Sequence, residues 1–125
     1  MKTDLTDKPI LIVDDETDIR FLLGTILKQK NIKSVFASSL SEAHALMKKV
    51  ADFSYIFLDN YLPDGLGVNH IRQFKNRYPT TKLVMVTAHD NATDRERASR
   101  EGADYFIGKP FSRDVILQTI ANFAG

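Results

Sequence analysis

The sequence predicts an α/β fold, a doubly wound five-stranded parallel sheet in a single domain. Three observations predict it. Short apolar runs recur along the chain without internal alternation, as parallel strands buried on both faces require. Stretches of helical periodicity separate them. The runs end on polar residues rather than fading into further apolar sequence.

The strand runs are Ile10-Leu11-Ile12-Val13, opened by Pro9, a weaker Ser34-Val35-Phe36-Ala37, Tyr55-Ile56-Phe57-Leu58, Leu83-Val84-Met85-Val86 and Tyr105-Phe106-Ile107. The first helix is read over residues 16–30, where Ile19, Leu22, Leu23, Ile26 and Leu27 recur at helical spacing. Leu40, Ala43, Met47 and Val50 mark a second helix, with Ser39 or Ser41 as N-cap. A Pro/Gly-rich loop, Leu62-Pro63-Asp64-Gly65-Leu66-Gly67, precedes a stripe of Val68, Ile71, Phe74 and Tyr78. Residues 91–101 are helical but weakly amphipathic, with Ala92 and Ala98 alone to bury, and Ile116, Ile120 and Phe123 mark the last helix. Five strand–helix units joined by right-handed crossovers make a helix–sheet–helix sandwich. The expected strand order is 2-1-3-4-5, one of the two common doubly wound orders.

The chain has 125 residues, the size of one domain, so residues 1–125 are read as a single unit. An apolar fraction of 43% supports a folded core and excludes disorder. Seventeen Lys and Arg against sixteen Asp and Glu leave a formal charge of +1, which argues against nucleic acid or a membrane surface as the main partner. With no cysteine, there is no disulfide framework and no thiolate metal site. The first eight residues are polar and mixed in charge, unlike a signal peptide, and no apolar run approaches the length of a membrane span. A cytoplasmic protein is expected.

The polar residues that end the strands carry the chemistry. Asp14 and Asp15 follow the first strand, Asp59 the third, Thr87 the fourth, and Lys109 stands just beyond the fifth. Ligands of open α/β sheets bind outside the carboxyl ends of the strands, where the strand order reverses. The expected order brings Asp14, Asp15 and Asp59 to one crevice. Three carboxylates there repel one another and need protons or a cation. An all-oxygen set suits Mg²⁺, Mn²⁺ or Ca²⁺. Mg²⁺ takes one or two carboxylates and adds substrate phosphate oxygens, leaving one carboxylate as a nucleophile that can form an aspartyl phosphate. Lys109 and the Thr87 hydroxyl can hold phosphoryl oxygens. Singly, each residue has an ordinary structural reading: a helix cap or turn for the aspartates, a packed hydroxyl for Thr87, a solvated lysine for Lys109. Their joint placement at successive strand ends is what points to phosphoryl chemistry.

The sequence resembles the response-regulator receiver family over nearly its whole length, from Ile10 to about Phe123. The matching stretches are Ile12-Val13-Asp14-Asp15-Glu16, Leu58-Asp59-Asn60-Tyr61-Leu62-Pro63-Asp64-Gly65-Leu66-Gly67, Val86-Thr87-Ala88, Gly102-Ala103-Asp104 and Gly108-Lys109-Pro110-Phe111. The resemblance implies a flavodoxin-like receiver fold and a two-component phospho-switch, not an enzyme acting on external substrates. It implies Asp59 as phosphoacceptor, Asp15 as direct Mg²⁺ ligand, Asp14 acting mostly through water, and the Tyr61 backbone carbonyl completing the metal site. Lys109 would bind the acyl phosphate, with a cis Lys109–Pro110 bond. Thr87 and Phe106 resemble the switch pair; phenylalanine replaces the tyrosine of many relatives and removes any signal through its hydroxyl. Tyr105 is expected on the opposite face of that strand. Tyr61 and His89 occupy positions that influence phosphoryl lifetime, Tyr61 by hindering water and His89 by ordering a water or as a plain solvated histidine; moderate to slow hydrolysis is expected.

The implied donor is a phosphohistidine of a sensor histidine kinase or histidine phosphotransfer protein, docking beside the 16–30 helix. Output is expected from the 91–101 helix, the fifth strand and the last helix, in a monomer or a phosphorylation-dependent dimer, toward an effector the sequence does not identify. Rival readings are a receiver that binds partners without phosphorylation, an aspartyl-phosphate phosphatase of the haloacid-dehalogenase type, and a flavodoxin-type mononucleotide binder. The phosphatase would need a second Asp where Glu16 stands. The nucleotide binder would need backbone donors where Asp14-Asp15-Glu16 repels phosphate.

Overall fold

A computed structural model describes residues 8–124, with the backbone alone described at 122–124, so the polar start of the chain and the core role of Phe123 lie outside the described residues. The elements are β1 (Ile10–Val13), α1 (Thr17–Lys28), β2 (Ser34–Ala37), α2 (Leu40–Met47), β3 (Tyr55–Leu58), the short strands β4 (Tyr61–Leu62) and β5 (Gly65–Leu66), a 3₁₀ turn Gly67–His70, α3 (Ile71–Arg77), β6 (Lys82–Thr87), α4 (Ala92–Glu101), β7 (Tyr105–Gly108) and α5 (Arg113–Ala124). The five-stranded sheet runs β2-β1-β3-β6-β7, all parallel, and β4-β5 is a separate antiparallel hairpin. With the hairpin set aside, this is the expected order 2-1-3-4-5.

Period-two alternation sorts each strand's side chains onto the two faces. Leu11, Val13, Ile56, Leu58, Leu83 and Met85 join α2, α3 and Ala98 of α4 in one core. Ile10, Ile12, Tyr55, Phe57, Val84, Val86 and Ile107 join α1 and α5 in the other. Both faces are covered, which is why these runs read as continuous apolar sequence.

Several boundaries differ from the sequence reading. The first helix ends at Lys28, and α2 ends at Met47 before Val50, where Arg77 donates to the Met47 and Val50 carbonyls. Val68 sits in the 3₁₀ turn and Tyr78 caps α3. The loop expected over 62–67 contains the β4-β5 hairpin. Ser39, not Ser41, is the N-cap of α2, accepting from the Glu42 amide. Leu22 and Ala92 are exposed rather than buried, leaving Ala98 as the one buried residue of α4. The stripe on α1 is thus narrower than its periodicity suggests, because β2 is only partly covered by it. Gly102 closes α4 with φ of 118°, a left-handed conformation that favours glycine.

Tyr55 is buried and donates to the Ile120 carbonyl at 2.8 Å, tying the central strand β3 to α5. Burial pushes its phenol up to about 12. Tyr55→Phe deletes this bond while keeping the ring, and urea unfolding should show a loss of about 1 kcal/mol with an unchanged m-value.

Candidate functional site

The strand register builds the site. Val13 of β1 lies opposite Leu58 of β3, so the next residues, Asp14 and Asp59, leave the sheet side by side. The Asp59 amide donates to the Val13 carbonyl at 2.9 Å, and the Asp14 amide to Ala37 at 3.0 Å, so both backbones are fixed from the sheet. Strand β6 runs past Met85, the partner of Leu58, and ends on buried Thr87. The Thr87 carbonyl accepts from the Lys109 amide at 2.8 Å, which sets Lys109 at the rim; the Lys109–Pro110 bond is cis.

Asp14, Asp15 and Asp59 each offer a carboxylate oxygen within 4.8 Å of the others. Asp14 and Asp59 are buried and Asp15 is exposed. Burial and the neighbouring Asp14 charge push Asp59 up to about 6, against the opposing pull of Lys109 and the Asn60 and Tyr61 amides. The Lys109 side chain is 9% exposed, far from the solvated lysine its sequence position would suggest alone. Its Nζ lies 2.9 Å from Asp14 Oδ2, 2.8 Å from Glu16 Oε1 and 3.6 Å from Asp59 Oδ2. Burial alone would lower the lysine, but hydrogen bonds to Glu16 and Asp14 and the charges of Asp59 and Asp14 raise it above its usual range.

This donor set fits a hard divalent cation. It is all oxygen, carries several negative charges in a small space, and holds one carboxylate that burial and repulsion have already made reluctant to ionise. Asp14, Asp15 and Asp59 are the residues that can hold such an ion, open to solvent on the Asp15 side.

Three contacts lay outside the sequence reading. Glu16 is bound to Lys109. Arg20 donates to the Asp14 carbonyl at 2.7 Å. Buried Asn60 clamps the chain after Asp59: its side-chain oxygen accepts from the Val68 amide at 2.9 Å and its carbonyl from Gly67 at 2.8 Å. Glycine at 67 follows from that close return, since a Cβ would stand 2.3 Å from the Asp59 carbonyl oxygen. The Asp59-Asn60 and Asp14-Asp15-Glu16 strings were the available signals for Asn60 and Glu16.

The structure also places the residues that the resemblance nominates as modulators and as a switch pair. Tyr61 is exposed at the hairpin, and its ring stands 4.2 Å from that of His89, centroid to centroid, tilted by 51°. His89 is therefore exposed but packed against a neighbour. Its amide donates to Thr87 Oγ1 at 3.3 Å. Phe106 faces the α4 side of the sheet, with the Arg95 guanidinium 4.8 Å from its ring centre, and Arg95 is paired with Asp90 at 2.6 Å. Tyr105 points to the opposite side, toward the α1–α5 core.

A parallel sheet in this order, with acids at its switch point and a buried lysine across the crevice, defines a receiver-type fold as the class. The response regulator receiver domain family matches residues 10–121. The chain is 32% identical to the response regulator protein PilR of Pseudomonas aeruginosa over 111 residues, 89% of this chain and 25% of PilR. It is 36% identical to the transcriptional regulatory protein SrrA of Staphylococcus aureus over 113 residues, 90% of this chain and 46% of SrrA. It superposes on the beryllofluoride-activated NtrC4 receiver domain dimer with a TM-score of 0.85 at 35% identity, covering 91% of this chain and 93% of that one. The chain belongs to the response regulator receiver family of two-component systems. It spans between a quarter and a half of the length of these curated relatives. Among the described residues no helix is long and apolar enough to cross a membrane.

The raised Asp59 pKa has a sign that can be measured. An ionised Asp59 costs stability that a protonated one does not, so the metal-free protein should lose stability as pH rises from the unfolded value near 3.8 through about 6. Asp59→Asn removes the titration. In EDTA, the variant should be more stable to unfolding than the parent above pH ~6, by on the order of 3 kcal/mol, and the gap should close below pH ~4.

Proposed function

We propose that the domain is a phospho-switch in which Asp59 accepts a phosphoryl group from a phosphohistidine of a sensor kinase or phosphotransfer protein, with Mg²⁺ or Mn²⁺ required. The convergence of Asp14, Asp15 and Asp59 beside Lys109 carries this reading. A bound divalent ion, held by the three carboxylates and the Tyr61 carbonyl, would offset their repulsion and neutralise charge on the transferring phosphoryl oxygens.

The chain's own groups supply the rest. An Asp59 carboxylate oxygen attacks phosphorus in line. The phosphorus–nitrogen bond to the donor imidazole breaks, and the released imidazole takes up a proton from water. Lys109, poised between Asp14, Glu16 and Asp59, turns its ammonium onto a phosphoryl oxygen, and the exposed Glu16 carboxylate is the partner it gives up most cheaply. The Thr87 hydroxyl, accepting from the His89 amide, is free to donate its own proton to another phosphoryl oxygen. Its movement draws the 88–90 segment inward. Phe106 follows, toward a void of about 60 Å³ lined by Asn60, Met85, Ala98 and the ring itself. With Ala98 as its one buried residue, α4 is the helix least held by the core and the natural output element, together with β7 and α5. The acidic crevice end of α1 is where a donor docks, in the cytoplasm, where such donors work. As NtrC4 forms a dimer in its activated state, this domain acts as a monomer or a phosphorylation-dependent dimer. Self-phosphorylation from small donors and autodephosphorylation are its own chemistry; the downstream effector is a separate protein or domain.

Acetyl phosphate with Mg²⁺ should add one phosphoryl mass to the protein, abolished by EDTA and by Asp59→Asn. A protein that folds and binds no magnesium, with Asp59 unmodified, would instead act as a phosphorylation-independent binding module. Release of phosphate from many phosphomonoesters would favour a phosphatase.

The Tyr61–His89 ring pair stands over the approach of hydrolytic water. Tyr61→Ala and His89→Ala should each speed decay of the aspartyl phosphate about fivefold, or about 1 kcal/mol in barrier. The double variant should decay little faster than either single one, since both remove the same flap. Unchanged decay in a chase by intact mass would remove the flap from the mechanism.

A further inference from the structure

We propose that the groove between α1 and the edge strand β2 is a docking site for an acidic protein segment that presents an apolar side chain. This goes beyond the phosphoryl reading and does not depend on it.

The groove is open and has a volume of about 1010 Å³. Phe21 and Phe36 line it, 73% and 46% exposed, the two most exposed aromatic residues among those described. Gly24 makes its floor: the Phe36 ring lies so close over it that a Cβ there would be 2.9 Å from the ring. Two aromatic rings left to water beside a groove mark a binding surface rather than ordinary scatter. The edge position of β2 leaves this flank uncovered by any further strand.

Charge selects the occupant. Arg20, Lys28 and Lys33 line the groove, and no carboxylate among the described residues does. In a chain whose formal charge is +1, that is a local concentration of one sign. Arg20 spends its hydrogen bonds on the Asp14 carbonyl and the Thr17 hydroxyl, and its charge also acts on Glu42, so Lys28 and Lys33 carry most of the charge argument. Lys28 and Lys33 have no carboxylate partner among the described residues. Asp18 is on the same helix but does not line the groove.

Two other occupants fit less well. A second copy meeting this face by two-fold symmetry would set Arg20, Lys28 and Lys33 against themselves. A nucleic-acid strand would stack on the rings, but it carries a charge on every nucleotide and cannot keep clear of exposed Asp15 and Glu16 at the Thr17 end, whereas a peptide can confine its carboxylates to the Lys28 and Lys33 end. A polypeptide with an apolar anchor between carboxylates meets both the rings and the cations.

The test is a titration of the ¹⁵N-labelled chain with a short synthetic peptide carrying Trp and Leu between Asp and Glu residues. Its twin with Lys at the acidic positions and an oligothymidylate are the comparison probes. Saturable shifts are expected at Gly24, Lys28, Lys33 and Phe36, weakened by added salt. Lys33→Glu and Phe36→Ser should each weaken binding about tenfold while labelling of Asp59 by acetyl phosphate is unchanged. Lys33 is exposed and its one core contact, its carbonyl accepting from the Ile10 amide, is backbone and survives Lys33→Glu, so that variant decides the matter even where Phe36→Ser disturbs β2. The proposal is overturned by an absence of saturable shifts, by equal binding of the lysine twin, by tighter binding of the oligonucleotide, or by shifts confined to the α4–β7–α5 face.

Discussion

Mutual repulsion among Asp14, Asp15 and Asp59 is the constraint on which the rest of the domain turns. Backbone hydrogen bonds of the sheet force Asp14 and Asp59 together, since Val13 and Leu58 are paired and the chain has no freedom to splay the next residues apart. The fold therefore holds charge where charge is unfavourable. Lys109 relieves part of that cost through Asp14 and, at longer range, Asp59. It does not relieve all of it, because burial and Asp14 together outweigh the lysine at Asp59. A site left in this condition favours added positive charge, and it favours conversion of Asp59 into something whose charge lies farther from Asp14.

The same constraint explains what surrounds the site. Asn60 and Gly67 return the chain tightly after Asp59, so the hairpin at 61–66 and the 3₁₀ turn start from a fixed point. Asp64 at the hairpin tip reaches across to α2 and accepts from the Leu40 and Ser41 amides, each at 2.9 Å. Those hydrogen bonds hold its carboxyl below the ordinary range. An acid at a helix N-terminus is favourable in the way that an acid among acids is not. The sequence thus carries neighbouring aspartates whose roles are opposite, and only their partners tell them apart.

That contrast marks where the sequence was legible. The strand runs and the acids at their ends could be read because each depends on local pattern: buried parallel strands are apolar throughout, and polar residues at their ends stand out; the strand order came from the small menu of doubly wound folds, not from any residue. The Asp59 to Gly67 string and the Gly108 to Phe111 string could be read because they resemble a family whose backbone geometry demands them. Asp64 could not be read as a cap of α2, because Leu40 lies 24 residues away and nothing local announces the pairing. The Lys109–Glu16 bond spans 93 residues and was hidden in the same way. Leu22 and Ala92 failed for another reason. Periodicity says which residues share a face of a helix, but not how wide a strip the sheet beneath will cover.

The narrow coverage of α4 is the most consequential of these departures. A helix anchored by Ala98 alone has little apolar contact to lose when it shifts, whereas α1, with Leu23, Ile26 and Leu27 buried, has much. What does restrain α4 is mostly polar: the Asn91 cap, the Asp90–Arg95 and Arg72–Glu101 pairs toward its ends, and the Arg97–Asn69 hydrogen bond between them. Arg95 also lies against Phe106, so the first turn of α4, the loop after Thr87 and the β7 aromatic share one set of contacts. A displacement at Thr87 would have a path to α4 through that set without crossing the core. Polar restraints of this kind exchange readily with water, while the β1–β3–β6 centre is held by burial on both faces. In this domain the charged pocket and the thinly anchored α4 are thus built from the two ends of the stability range, joined at Thr87.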